Sequence, residues 1–305
     1  MRLTSIVPLV FLSLIFNSCS KNAGIDQQPV DQIPDLSKTH SVAFDFSNFK
    51  VSYNERASNK EVAAKDYLSI ISIIAFDSAG NHANSVVQST YGGNTSGFDA
   101  ISLPLKAGTY TFLVEGTAKE NQQLFTDFSE LSTTRLMTSL SHDDRHGSDV
   151  FYNKFVLTVG DRDTTINTLR LERLTGLLEI QFTDTLPENV ERVDVKLYDA
   201  PFSYYVAEDS VKGRDSMFVG QIARNTNIDS LKVSNFFFGT NTPVTVVIKT
   251  YDKNGNFMFE KRVDNIFVYR NKKTILKGKL YPTNLSVGMP VTVDPDFAEI
   301  INQSF

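Results

Sequence analysis

The sequence predicts an all-β protein of two tandem β-sandwiches behind a short export segment. Three observations carry this. Large apolar residues recur at every second position over many short stretches. Turns rich in Gly, Asn and Asp separate those stretches. Removing residues 1–18 from the 305 leaves 287, enough for two domains at about 100–200 residues each.

The export segment comes first. Arg2 supplies a positive start, and an almost unbroken apolar run extends from Ile6 to Phe16. The run is shorter than the roughly 20 residues that span a bilayer, but it suits the core of a signal peptide. Phe16-Asn17-Ser18-Cys19 comes next, with a small residue directly before the cysteine. This resembles the relaxed lipobox of Bacteroidota lipoproteins, with Phe16 and Asn17 departing from its stricter form. The resemblance implies cleavage after residue 18, lipidation of Cys19 and attachment to a membrane through that lipid. Cys19 is the only cysteine, which excludes a disulfide and a cysteine-based zinc site. A lone thiol in an oxidising compartment is a liability, so lipidation accounts for it better than chance.

Residues 19–39 read as a lipidated tether. Ser20 to Thr39 is polar, holds two prolines and has no apolar period, a composition that cannot bury a core. As a flexible chain it would reach roughly 25 Å. Ser20 after the cysteine fits sorting to the outer membrane. Lys21-Asn22-Ala23 makes only a weak version of the acidic surface-export tag of related lipoproteins, and the cell surface is expected over the periplasmic face.

The N-terminal sandwich is placed at 40–162. Val42, Phe44 and Phe46 share one face of a strand. Leu68 to Phe76 is nearly all apolar and reads as a strand buried on both faces. Thr109 to Val114 comes after a Lys-Ala-Gly turn, and Val150 to Val159 continues the pattern. The C-terminal sandwich is placed at 163–281, beyond the charged turn at Gly160-Asp163. Its strands are Thr165 to Leu171, Leu177 to Phe182, Val193 to Tyr198, Met217 to Ile222, Val244 to Tyr251, Phe257 to Val268 and Thr274 to Leu280. Helices are expected only at Phe128 to Leu140 and Asp296 to Gln303. Ile73 to Asn81 resembles Val247 to Asn256: each is an apolar strand, an aromatic, an Asp and a Gly-Asn pair. This approximate repeat supports two similar domains.

Residues 282–305 form a tail. Val287, Met289, Val291 and Val293 share one face at period two, with Pro290 between them. Proline confines such a strand to a sheet edge. Two placements are open: packing on its own domain, or donation to another subunit.

The order of these elements resembles the fimbrillin and fimbrial-anchor lipoproteins of Bacteroidota. The features that carry it are the lipobox cysteine, the first strand SVAFDFSNF and the strand ending in Phe76-Asp77 before Gly80. Leu105 to Tyr110, Leu169 to Gly176 and Lys277-Gly278-Lys279-Leu280 complete the set. The resemblance covers most of residues 40–281. It implies two Greek-key, transthyretin-like sandwiches, assembly with fimbrial subunits by β-strand addition, and a role in adhesion. It also implies that stalk subunits are cut after an arginine, which removes the first strand. Arg56 is a candidate for such a cut, although an ordinary exposed loop arginine is the preferred reading. An uncut chain would be an anchor or accessory subunit.

Other functions find little support. The chain without residues 1–18 keeps 29 basic residues (the 30 of the whole chain less Arg2) against 35 acidic, a net charge of −6, which disfavours nucleic acid. His142 and His146 would share a face if helical, but Gly147-Ser148-Asp149 comes directly after them and a solvated loop is the better reading, so no metal site is assigned. Asp252, Asn254 and Asn256 begin like a calcium loop, yet Gly255 falls at position four and no glutamate stands at twelve. No nucleophile motif or phosphate-binding loop is present, so no catalytic residue and no cofactor is assigned. The rival reading is a surface glycan-binding lipoprotein. Sugar sites favour tryptophan platforms, and the chain has none. Phe202-Tyr204-Tyr205 and Phe236-Phe237-Phe238 are aromatic clusters read mainly as core.

Overall fold

The computed structural model describes residues 38–46, 50–55, 58–90, 100–118, 124–138, 147–167, 169–224, 231–239, 243–281 and 291–294. The strands of the first half are β1 (Thr39–Asp45), β2 (Lys50–Glu55), β3 (Ser58–Ala63), β4 (Leu68–Phe76), β5 (His82–Ser89), β6 (Ala100–Lys106), β7 (Gly108–Ala118), β8 (Leu124–Asp127), β9 (Arg135–Thr138), β10 (Val150–Val159), β11 (Thr164–Ile166) and β12 (Glu172–Arg173). A four-residue helix, α1 (Ala64–Tyr67), precedes β4. The second half holds β13 (Thr175–Phe182), β14 (Arg192–Tyr205), β15 (Ser210–Ala223), β16 (Lys232–Phe238), β17 (Val244–Tyr251), β18 (Phe257–Ile266), β19 (Lys273–Gly278) and β20 (Val291–Asp294). The all-β expectation is met.

Both sandwiches share one wiring. In the first, sheet β11-β1-β6 faces sheet β10-β7-β4-β5. In the second, β19-β13-β16 answers β11-β1-β6, and β18-β17-β14-β15 answers β10-β7-β4-β5. The first strand of each pairs in parallel with the last: β1 with β11, and β13 with β19. Every other pair in these sheets is antiparallel.

Alternation puts one face of each strand into a core. Val42 and Phe44 of β1, with Phe46 just beyond it, are wholly buried against Ile71 and Ile73 of β4 and Phe112 of β7. The Phe44 and Phe112 rings lie 5.5 Å apart. The second core gathers Leu178 and Ile180, Val193, Val195 and Leu197, Val246, Ile248 and Leu276. A third cluster lies between the sandwiches: Ile74, Phe76, Leu113, Leu136, Tyr152, Leu174, Tyr204 and Phe238. Strand β4 serves two cores at once, Ile71 and Ile73 on one face and Ile74 and Phe76 on the other, as its continuous apolar sequence predicted.

Three expectations need correction. The boundary at Gly160-Asp163 falls inside the first sandwich, because β11 completes the β1 sheet and β12 pairs with β10. The short strand β11 has too little apolar pattern to reveal which sheet takes it. The helix expected at Phe128 to Leu140 is instead a turn and then β9, whose backbone is satisfied by β8 on one side and β14 on the other. Ladder bonds from distant residues override a weak helical period. The other expected helix, Asp296 to Gln303, lies outside the described residues. Third, the approximate repeat does not mark equivalent places. Its first copy joins β4 to β5 and its second joins β17 to β18, although β4 corresponds to β14 in wiring. The likeness of the sandwiches lies in topology, and the repeated motif is a local turn.

Candidate functional site

The seam between the sandwiches is where this fold departs from two simple modules. Between Ala118 and Val150 the chain leaves the first sandwich and forms the hairpin β8–β9. Arg135, Leu136 and Met137 of β9 pair with Tyr205, Tyr204 and Ser203 of β14. The same flank of β14 pairs with β17 earlier, over Arg192–Tyr198. A register shift between Leu197 and Ala200, with Asp199 at φ 61°, separates the two parts. Such a bulge bends a strand and turns the residues beyond it in a new direction. Here it carries the far half of β14 across to the first sandwich.

Two polar networks cross this seam. In one, the buried Asp149 carboxylate accepts from Arg173 Nε at 2.9 and 3.2 Å, Thr175 Oγ1 at 2.9 Å and Tyr67 OH at 2.5 Å. Arg173 also donates to Asn271 Oδ1 at 3.2 Å and lies 4.9 Å from the centre of the Phe151 ring. Burying the pair is tolerable because both charges are met by hydrogen bonds. In the other network the phenols of Tyr152 and Tyr204 bond at 2.6 Å, and Tyr204 OH donates to Asp209. Arg270 Nη1 donates to Asp209 Oδ1 at 3.3 Å, and its guanidinium lies 5.1 Å from the centre of the Tyr152 ring. Burial, then the bonds to Asp209 and Tyr152, push the Tyr204 phenol well above its ordinary value. The bond donated by Tyr204, with Arg270 beside it, holds the Asp209 carboxyl below its usual range.

A third polar group lies under the β8–β9 hairpin. Glu115 of β7 is buried and accepts from Thr126 Oγ1 at 2.7 and 3.0 Å. Burial pushes its carboxyl up to about 7, against the opposing hydrogen bonds from Thr126 and Ser72.

Beside the second network lies a cavity of about 440 Å³. Tyr204, Asp209, Ser210, Lys212, Arg214 and Arg270 contribute to its wall. The sequence pointed here only through the Phe202-Tyr204-Tyr205 cluster. Tyr204 is buried at 3 % exposure and offers no stacking face, while Tyr205 carries Lys212 Nζ 4.7 Å above its ring centre. Phe237 fills the second core and Phe238 the seam. Lys212, Arg214 and Arg270 carried no sequence signal, since nothing in their spacing shows that a turn and a distant strand will meet.

The other residues singled out in the sequence fare unevenly. Cys19, Arg56, Val287 and Met289 lie outside the described residues, as do His142 and His146. Arg56 falls in the chain between β2 and β3, after β1, the central strand of its sheet. Val291 and Val293 belong to β20, which pairs antiparallel with β19 at Leu276 and Thr274. In this structure the tail therefore adds a strand to its own sandwich. The calcium-like segment is a turn: Asp252 Oδ1 accepts from the backbone of Asn254 and Asn256 at 2.8 Å each, and Gly255 takes φ 80°. Among the described residues no group of three His, Cys, Asp or Glu side chains could hold a metal, and no helix is long and apolar enough to cross a membrane.

Comparison with solved structures agrees on the fold. The chain is similar to a candidate polysaccharide-binding protein (DUF1812) from Bacteroides thetaiotaomicron, at TM-score 0.54 and 14 % identity, covering 87 % of this chain and 99 % of that one. It is also similar to the fimbrial anchor protein Mfa2 from Porphyromonas gingivalis, at TM-score 0.48 and 15 % identity over 84 % and 97 % of the two chains. The C-terminally truncated tip fimbrial protein Mfa3 of the same organism gives TM-score 0.43 and 10 % identity over 84 % and 99 %. The likeness to the Bacteroides thetaiotaomicron structure is one of fold. No curated protein matches the sequence. Residues 35–304 match a family of unknown function, and the chain belongs to that family, DUF6562.

Proposed function

We propose that this chain is an outer-membrane lipoprotein, held by a lipid on Cys19, that serves as a fimbrial anchor or accessory subunit in adhesion. One observation supports it most: twice in this chain a strand outside the shared wiring of the two sandwiches adds itself to a sandwich sheet by backbone pairing. β9 extends β14 across the seam, and β20 extends β19 from the tail. An open edge offers unpaired backbone groups that an extended segment can satisfy, and subunits can join by the same bonds. Nothing in such joining calls for a catalytic residue.

The cleaved-stalk alternative has a definite structural cost. A cut after Arg56 frees β1, which sits between β6 and β11 and buries Val42 and Phe44, with Phe46 just beyond. Each such side chain contributes about 1.5–3 kcal/mol, so another strand would have to take its place. Mass spectrometry of the mature N-terminus from intact cells separates the readings. An acylated Cys19 supports the anchor; a chain beginning at Ala57 overturns it.

A second reading, recognition of a glycan, is favoured by the cavity beside Tyr204. The similar protein from Bacteroides thetaiotaomicron carries a polysaccharide-binding description.

A further inference from the structure

We infer that the cavity beside the seam binds an acidic sugar unit, a uronic acid or similarly charged residue of a saccharide, with Arg214 as the group that holds its carboxylate. The inference rests on the glycan reading and adds the charge of the ligand. At about 440 Å³ the cavity falls in the range of roughly 300–1,000 Å³ typical of small-ligand sites. Its cations are not equivalent. Arg270 faces Asp209, and Lys212 Nζ is paired with Glu208 at 2.6 Å. Arg214 has no carboxylate partner among the described residues; one of its nitrogens donates to the Asp199 carbonyl at 3.4 Å. Its guanidinium is exposed, and its planar donors match a carboxylate in a two-bond arrangement.

The remaining polar groups decide between an acidic sugar and an acidic peptide. Asp209, held ionised by Tyr204 and Arg270, is an acceptor facing the same space, and Ser210 adds a hydroxyl. A sugar brings hydroxyl donors for Asp209 together with a carboxylate for Arg214. A run of acidic side chains would set several charges against Asp209 and offer it only backbone N–H donors. The site is therefore built for a ligand that is both hydroxylated and anionic.

The test is calorimetric titration of the chain from residue 20 onward with a galacturonate disaccharide, its neutral galactose counterpart and a short polyaspartate peptide. Galacturonate binding that falls about tenfold or more in Arg214→Ala, equivalent to about 1.4 kcal/mol, and weakens with salt supports the inference. Arg214 is exposed, so the variant should melt with the wild type, and Arg214→Lys should recover part of the affinity. Equal binding of the neutral disaccharide, insensitive to Arg214, overturns the charge while leaving the glycan reading standing. Binding of the peptide alone overturns both, as does absence of all binding at millimolar concentration.

Discussion

In the first sandwich the connection from β7 to β10 runs from Ala118 to Val150 and includes a hairpin that pairs with the neighbouring sheet. In the second, the corresponding connection from β17 to β18 is the turn Asp252 to Asn256, bonded to itself. The two sandwiches share one wiring, and they differ in what their connections do. Strand order sets each core, while an insertion between two strands joins the cores. The turns show the same division. Asp77 accepts from the backbone of Ala79 and Asn81 just as Asp252 does from Asn254 and Asn256, although the two turns close non-equivalent hairpins. That chemistry is local and moves freely between places in the fold.

The comparison is most severely tested at the seam. Asp149→Ala leaves Arg173 buried without its carboxylate and should cost about 3–5 kcal/mol in urea unfolding. Replacing Asp149 and Arg173 together by leucine and methionine should cost much less. A single variant no worse than a surface change would mean the seam is held by packing alone. Leu136→Ala, which removes the inserted hairpin's buried contact with the seam, should cost about 2–5 kcal/mol. A smaller loss would make the insertion an appendage.

Glu115 gives the next effect, and it depends on pH. Its folded value of about 7 lies above the ordinary 4.5, so folding takes up a proton between those limits. Stability contributed by this group is complete below about 4.5 and is lost as pH rises through about 7, by roughly 3 kcal/mol in total. Glu115→Gln should flatten this slope and be the more stable protein at pH 8. Unchanged slopes in a stability profile would show that Glu115 does not titrate there. Smallest are the turns. Gly80 and Gly255 sit at φ 85° and 80°, where an alanine costs about 1–2 kcal/mol. Gly80→Ala and Gly255→Ala should therefore lose similar stability. A large difference would show that the host sandwich, and not the turn, sets the cost.

Much of the core was legible. Val42-Phe44-Phe46 and Leu68 to Phe76 announce their burial through alternation and through continuous apolar sequence. The seam was not, for a physical reason. Leu136 belongs to a four-residue strand too short for a period, and its partner Tyr204 stands 68 residues further on. Asp149, Arg173 and Glu115 look like surface charges until the fold covers them. The cavity shares that invisibility: Arg214 and Arg270 are brought together by β15 and by the segment before β19, which no local spacing links.

The inserted hairpin also imposes an order in time. A chain emerging N-terminus first can close its first core once β11 at Thr164–Ile166 is available. The other face of β4, with Ile74 and Phe76, then waits for Tyr204 and for Phe238, whole strands further along. During that interval β9 has β8 but not β14 to pair with. The first sandwich thus matures in two stages, and its half-finished state exposes an apolar wall and an unpaired strand edge, the features that invite wrong association before the second sandwich arrives.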